Sequence, residues 1–340
     1  MIIPNFRLQI SDFKNRYLNF CRTSVKKAAV FHLIFIVPVF SLLVYAAFLK
    51  APSDFPEEAL FTVTSGQNLS EISKELQEQN IVKSAFWFRN TVIFLKGESG
   101  IKAGDYFFES PKNSYTVAKR MISGTLNLYP LKITIHEGLN VFEIADLLES
   151  QLPKFDKGEF LKLAKEKEGY LFPDTYFIAP NTKAESVIAI MESNFWRKID
   201  GLSEKIQSNG KTLEEIISLA SIIETEARDA ESRRVISGIL WKRLKIGMPL
   251  QVDVTFKYVN GKNTYQLSPE DLKIDSPYNT YLYKGLPPTP IANPGFDSIL
   301  AATEPKETGY LYFLSDKKGN MYYAESHDEH IKNKRLYLYN

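Results

Sequence analysis

Cysteine is nearly missing from this chain: Cys21 is the only one in 340 residues, and it precedes a long apolar run. Everything after that run lacks the thiols for a disulfide framework or a thiolate metal site. An excess of charge of one sign is missing too. The formal net charge is +2, which excludes the strongly basic field that grips nucleic acid, so no nucleic-acid partner is expected. Long apolar runs are absent but for one, residues 28–49, interrupted only by His32, Pro38, Ser41 and Tyr45. At about 22 residues it is long enough to span a bilayer, where a mid-run proline is better tolerated than in a soluble helix.

Arg7, Lys14, Arg16, Arg22, Lys26 and Lys27 stand before the run against Asp12; Lys50 follows it, then Asp54, Glu57 and Glu58. The asymmetry predicts a cytoplasmic tail (1–27), a single-pass plasma-membrane helix (28–49) and a working part outside. The run is long for the core of a signal peptide and has no clear small-x-small exit before Lys50. A retained anchor is therefore expected. With 44% hydrophobic and 24% charged residues, the composition is that of a globular protein with room for two domains.

After a short acidic linker (51–58), residues 61–76, FTVTSGQNLSEISKEL, line up with residues 133–148, ITIHEGLNVFEIADLL. Thr62, Gly66, Asn68 and Glu71-Ile72 match Thr134, Gly138, Asn140 and Glu143-Ile144. Each copy reads as a short alternating strand, a turn needing Gly at positive φ, and a helix starting near the Asn. The first copy continues into a second helix (80–95) and a returning strand (101–108). The pattern resembles a LysM module, which grips N-acetylglucosamine polymers; a plain α/β spacer is the alternative. The fold class expected is α+β: the membrane helix, a LysM-like module over 50–128, and a second domain over 129–340.

The second domain centres on residues 211–228, KTLEEIISLASIIETEAR. Thr212 with Glu215 reads as a capping box. Leu213, Ile216, Ile217, Ala220, Ile223 and Ala227 share one arc of the helix, and Glu224 falls among them. Glu226, about 200° further round, is expected to point away. A carboxylate on the buried side is costly to ionise, so a raised proton affinity is expected, as a general acid for glycoside cleavage requires. The competing reading is an i,i+4 ion pair of Glu224 with Arg228, half-exposed beside the core.

Helices are also expected at 114–122, 155–167, 184–199 and 233–244. Residues 250–259, LQVDVTFKYV, alternate apolar and polar types and predict a strand. EGYLFPDTYFI (168–178) reads as a packed aromatic corner or a platform for sugar rings. The proline-rich stretch 276–295 cannot be a regular element, and a loop that long is usually functional. Residues 309–314 and 320–324 predict a hairpin over 317–319. His327 and His330 lack a third ligand nearby, so no metal site is expected.

These blocks together resemble the YceG-like (MltG) family of membrane-bound endolytic murein transglycosylases. The resemblance rests on EGYLFPDTY, LASIIETEA, RLKIGMPLQVDVT, YNTYLYKGLPPTPIANPG, and YLYF followed by SHDEHIKN. It implies a LysM-like part before a transglycosylase domain, with Glu224 as the single catalytic acid. It also implies a place beside peptidoglycan synthases, where nascent glycan strands are cut and their length limited. Val254 stands where the family commonly has Pro, and Thr289 where it has Gly.

One acid suffices if the substrate supplies its own nucleophile. Glu224 would protonate the oxygen between N-acetylmuramic acid and N-acetylglucosamine, then take the proton from the muramic C6 hydroxyl as it attacks C1. The product is a 1,6-anhydro ring, with no metal or cofactor called for. Gln251, Asp253, Thr255, Tyr278, Asn279 and Thr280 are the candidates for holding the sugar. Two alternatives remain: a water-using muramidase with Asp253 as second carboxylate, and a non-catalytic wall-binding scaffold.

Overall fold

In a computed structural model, residues 15–16, 25–56, 58–262, 266–316 and 318–338 are described. Cys21, much of the charged tail (Arg7, Asp12, Lys14 and Arg22), Glu57 and Lys317 of the expected hairpin turn lie outside them. The chain divides into two compact units, Met1–Leu128 and Tyr129–Asn340.

In the first unit, α1 (Val25–Val44) contains Pro38 and continues as a π turn, Tyr45–Leu49. The stretch His32–Leu49 has a mean hydropathy of 2.3 and none of it is buried inside the protein; it is long and apolar enough to cross a membrane. β1 (Ala59–Val63) and β2 (Gly104–Phe108) pair antiparallel, Ala59 opposite Phe108. Between them run α2 (Leu69–Glu78) and α3 (Ala85–Lys96), and α4 (Ser114–Ser123) follows. The side chains of Asn68, Ser84 and Asn113 cap the three helices by accepting from backbone N–H groups. α3 begins at Ala85 rather than residue 80, because Asn80 turns the chain at φ 54, a left-handed conformation that Asn tolerates. Phe61, Leu76, Phe88, Tyr106 and Met121 fill the core.

The second copy of the repeat opens the second unit. Its strand β3 (Leu131–Thr134) pairs antiparallel with β4 (Thr175–Ile178), so its partner comes from the aromatic corner. Gly138, at φ 80, turns the chain into α5 (Val141–Gln151), which starts with a capping box of Asn140 and Glu143. α6 (Lys157–Ala164) and α7 (Ala184–Ile199) complete this part around Ile133, Ile144, Leu148, Phe160 and Met191.

After α8 (Ser203–Ser208) comes α9 (Leu213–Glu226), begun by the expected capping box of Thr212 and Glu215. Every residue of α9 from Ile216 to Ile223 is buried, so the helix has no solvent face along its middle. α10 (Ala230–Lys245) packs against it. Residues 250–259 are not a strand. They form a 3-10 turn, Asp253–Thr255, and the short α11 (Phe256–Asn260). The Thr255 hydroxyl donates to Val252 O, which bends the chain, and Leu250, Val252, Thr255 and Phe256 go inward. The proline-rich stretch is irregular and runs into α12 (Phe296–Thr303), which packs on α9 and α10. β5 (Tyr312–Ser315) and β6 (Met321–Ala324) form the expected hairpin, and α13 (His327–Tyr337), capped by Ser326, follows.

Candidate active site

The last turn of α9 carries two carboxyls with different surroundings. The Glu224 side chain is only 5% exposed. Its Oε1 accepts from Arg233 Nη2 at 2.7 Å and its Oε2 from the Gly295 backbone N–H at 2.8 Å. Arg233, in the first turn of α10, also donates to Ala227 O at 3.2 Å, so the guanidinium ties the end of α9 to the start of α10. Gly295 brings the end of the proline-rich loop onto the pair; a Cβ there would meet the Glu137 carboxylate at 1.9 Å. Burial raises the proton affinity of Glu137, and the charge of Glu224 adds to this while Arg233 opposes it.

A second network lies around buried Glu168. Val141 N–H donates to its Oε2 at 3.0 Å, Tyr258 OH to the same oxygen, and Asn293 Nδ2 to Oε1 at 2.8 Å. Asn293 Oδ1 accepts from Gly169 N and Leu171 N, both at 2.9 Å. The start of α5, the aromatic corner, α11 and the proline-rich loop therefore meet on one carboxyl. Burial pushes Glu168 up to about 7 against the lowering effect of its donors.

Glu226 differs from both. Burial pushes its carboxyl up to about 7, the nearby charge of Asp253 adds to the rise, and Arg243 opposes it. Among the described residues none donates a hydrogen bond to it. Asp253 Oδ1 accepts from Tyr281 OH at 2.6 Å. Arg243 is buried, donating to Leu311 O at 2.7 Å and Leu250 O at 2.5 Å, with its guanidinium over the Tyr312 ring. His330 stacks on the other partner of that arrangement, Tyr312, and burial lowers it to about 4, with Lys334, Arg243 and His327 adding to the effect. Among the described residues no group of three or more potential ligands could hold a metal ion.

A carboxyl of raised proton affinity beside a second carboxyl can donate a proton to a leaving group and take one back. The comparisons with known proteins fit such chemistry. The model of the YceG-like family matches residues 61–336. The chain belongs to the YceG-like family. A relative from Bacillus subtilis, named endolytic murein transglycosylase, is 32% identical over 303 residues, covering 81% of this chain and 84% of the relative. Another of that name, from Streptococcus pneumoniae, is 28% identical and covers 80% of this chain and 57% of its own length. The crystal structure of a putative yceG-like protein from Listeria monocytogenes superposes with a TM-score of 0.55 at 30% identity, over 81% of this chain and 99% of that one.

Within this YceG-like protein the residues singled out from the sequence separate into two sets. Asp253 stands beside Glu226, and Gln251, at φ 49, is exposed next to it. Thr255, Asn279 and Thr280 are buried and hold the backbone. Thr280 Oγ1 accepts from Val252 N, and Asn279 Nδ2 donates to Leu272 O and Ile274 O while its Oδ1 accepts from Tyr281 N. Tyr278 pairs its hydroxyl with Thr289 Oγ1 at 2.9 Å, so one of the family departures forms part of the loop's own bonding. The competing reading, a half-exposed pair of Glu224 with Arg228, gives way to a pair with Arg233. Glu226, expected to face away, is half-buried beside Asp253. A wheel drawn for α9 assumes one covered face, and here residues 250–255 and α10 cover the other side. The sequence signal that could have found it is the doubled acid of IIETEA at the end of an otherwise apolar helix.

Proposed function

We propose that this YceG-like protein is a membrane-anchored endolytic lytic transglycosylase of peptidoglycan, a carbon–oxygen lyase, with Glu226, beside Glu224 on the last turn of α9, as its acid. The observation that carries this is the Glu226 carboxyl, held near 7 opposite Asp253, in a chain whose relatives are named endolytic murein transglycosylase. Glu224 is the alternative acid: Oε1 accepts from Arg233 and Oε2 from the Gly295 N–H, and each oxygen keeps a second lone pair for a substrate.

In the proposed reaction Glu226 gives its proton to the oxygen between N-acetylmuramic acid and N-acetylglucosamine as the bond to C1 breaks. The carboxylate then takes the proton of the muramic C6 hydroxyl while O6 bonds to C1, closing the 1,6-anhydro ring. One bond forms, one breaks, and the proton moves from O6 to the leaving oxygen without water. Asp253, steadied by Tyr281, keeps the proton on Glu226 beforehand and faces the positive charge that develops at C1. Glu224, Arg233 and Gly295 fix the acid-bearing turn against the proline-rich loop.

The strand–helix–helix–strand order of the first unit supports a LysM-like, glycan-holding role for residues 50–128, and α9 serves as a lysozyme-like acid-bearing helix. The charge asymmetry around α1 supports a cytoplasmic N-terminus with both units outside, where peptidoglycan synthases are the natural partners. The closeness of Asp253 to Glu226 also supports a second reading, a muramidase that uses water. Mass spectrometry of purified glycan strands after digestion tests both. Anhydro-muramic ends that disappear with Glu226→Gln support the transglycosylase, reducing ends support the muramidase, and no cleavage by the wild type overturns the enzymatic reading.

A further inference from the structure

α3 leaves a line of large aromatic side chains without cover. Phe94 is 90% exposed and Phe86 66%. At 100° and 1.5 Å per residue they lie about 80° apart around the helix and about 12 Å apart along it, on one stripe. Asn90, between them, donates its amide to Phe86 O at 2.8 Å, so the polar group on the stripe is already engaged. A solvated helix has no reason to hold two phenylalanines at these positions, and their neighbourhood points to what covers them. Trp87, T-shaped to Phe86 at 5.7 Å, stacks on Phe48 at 5.8 Å, and Lys83 Nζ donates to Ala46 O at 3.1 Å. Ala46 and Phe48 belong to the π turn that ends the apolar run of α1. That run is about 33 Å long, against about 30 Å of bilayer hydrocarbon, so its last turn lies at the boundary between acyl chains and headgroups. Trp87 is at that depth because it rests on Phe48. Aromatic rings favour this boundary, and Lys83, held at Ala46, carries its charge at the same level.

We propose that α3 is an interfacial helix, with Phe86, Trp87 and Phe94 seated in the leaflet from which α1 emerges and holding the first unit against the lipid surface. This rests on α1 being a membrane span, and the test keeps the two apart. In the full-length chain reconstituted in lipid nanodiscs, with Cys21→Ser removing the single thiol, nitroxides are attached in turn through Leu43→Cys, Phe86→Cys, Phe94→Cys and Lys74→Cys. Leu43 marks the span and Lys74 the exposed face of α2. Electron paramagnetic resonance then compares relaxation by lipid-soluble oxygen with relaxation by a water-soluble nickel chelate. The proposal expects positions 86 and 94 to shift toward oxygen and away from nickel, as position 43 does, with position 74 remaining open to nickel. Nickel access at 86 and 94 equal to that at 74 overturns the proposal while position 43 still reads lipid. Shielding of 86 and 94 from both agents means that protein covers the stripe, and also overturns it. Nickel access at 43 overturns the span and the proposal with it.

Discussion

Glu224 and Glu226 are two residues apart on one helical turn, yet one has its bonding satisfied and the other does not. Around Glu224 an arginine and a backbone N–H occupy both oxygens. Around Glu226 burial raises its proton affinity first and the charge of Asp253 adds to it, with Arg243 opposing. Burial raises the proton affinity of a carboxyl and donors lower it, so the balance differs from one acid to the next. Position on a helix wheel does not distinguish the two cases. The partners do, and they come from far along the chain.

The largest effect that would break the comparison is on activity. Glu226→Gln keeps the shape but cannot exchange a proton, so release of anhydro-muropeptides is expected to fall by about two to four powers of ten. Circular dichroism should show an intact fold and melting should show no loss of stability near pH 8, since an amide carries no charge to bury. Wild-type release by this variant would remove Glu226 from the chemistry.

The second effect is on stability. Arg233→Ala leaves Glu224 buried without its cation, and breaking a buried pair in this way costs about 3–5 kcal/mol. Urea unfolding of the two variants should therefore separate them, with Arg233→Ala far below wild type and Glu226→Gln not. An Arg233→Ala protein of wild-type stability would mean that water already reaches Glu224.

The third effect is a shift with pH. Asp253→Asn removes the like charge facing Glu226, so the limb of the rate profile set by loss of the proton should move to lower pH. Stability carries the same signature. Glu226 and Glu168 hold protons in the native state up to about 7, above their ordinary 4.5. Between those values the unfolded chain has released protons that the native state keeps. Their contribution is therefore complete below about 4.5 and is lost as pH rises through about 7. Glu226→Gln should flatten part of that fall, and Glu168 should account for part of the remainder.

Much of the frame is local and can be read from the sequence. The capping boxes at Thr212 and Asn140, the repeated turn at Gly66 and Gly138, the hairpin before SHDEH and the apolar run of α1 each depend on residues close in sequence. Residues 250–259 were misread because alternation fits a strand, whereas Thr255 folds back on Val252 and a neighbouring loop supplies the backbone partners, Thr280 O to Gln251 N among them. The partners of the two acids are hidden from the sequence for a related reason. Gly295 reaches Glu224 across 71 positions and Asn293 reaches Glu168 across 125. Such contacts decide which acid is saturated, and they leave no periodic trace. The doubled acid was visible, but which of the two had partners was not.

The most direct test is a titration of the carboxyls themselves. Carbon-13 NMR of the protein labelled at glutamate side-chain carboxyls would follow each group from pH 4 to pH 9, with Glu226→Gln and Glu168→Gln identifying one resonance each. The resonance lost in Glu226→Gln is expected to titrate near 7, and to move to lower pH in Asp253→Asn. If that resonance titrates in the ordinary range near 4.5 and ignores Asp253, Glu226 is not the proton donor and the central claim fails.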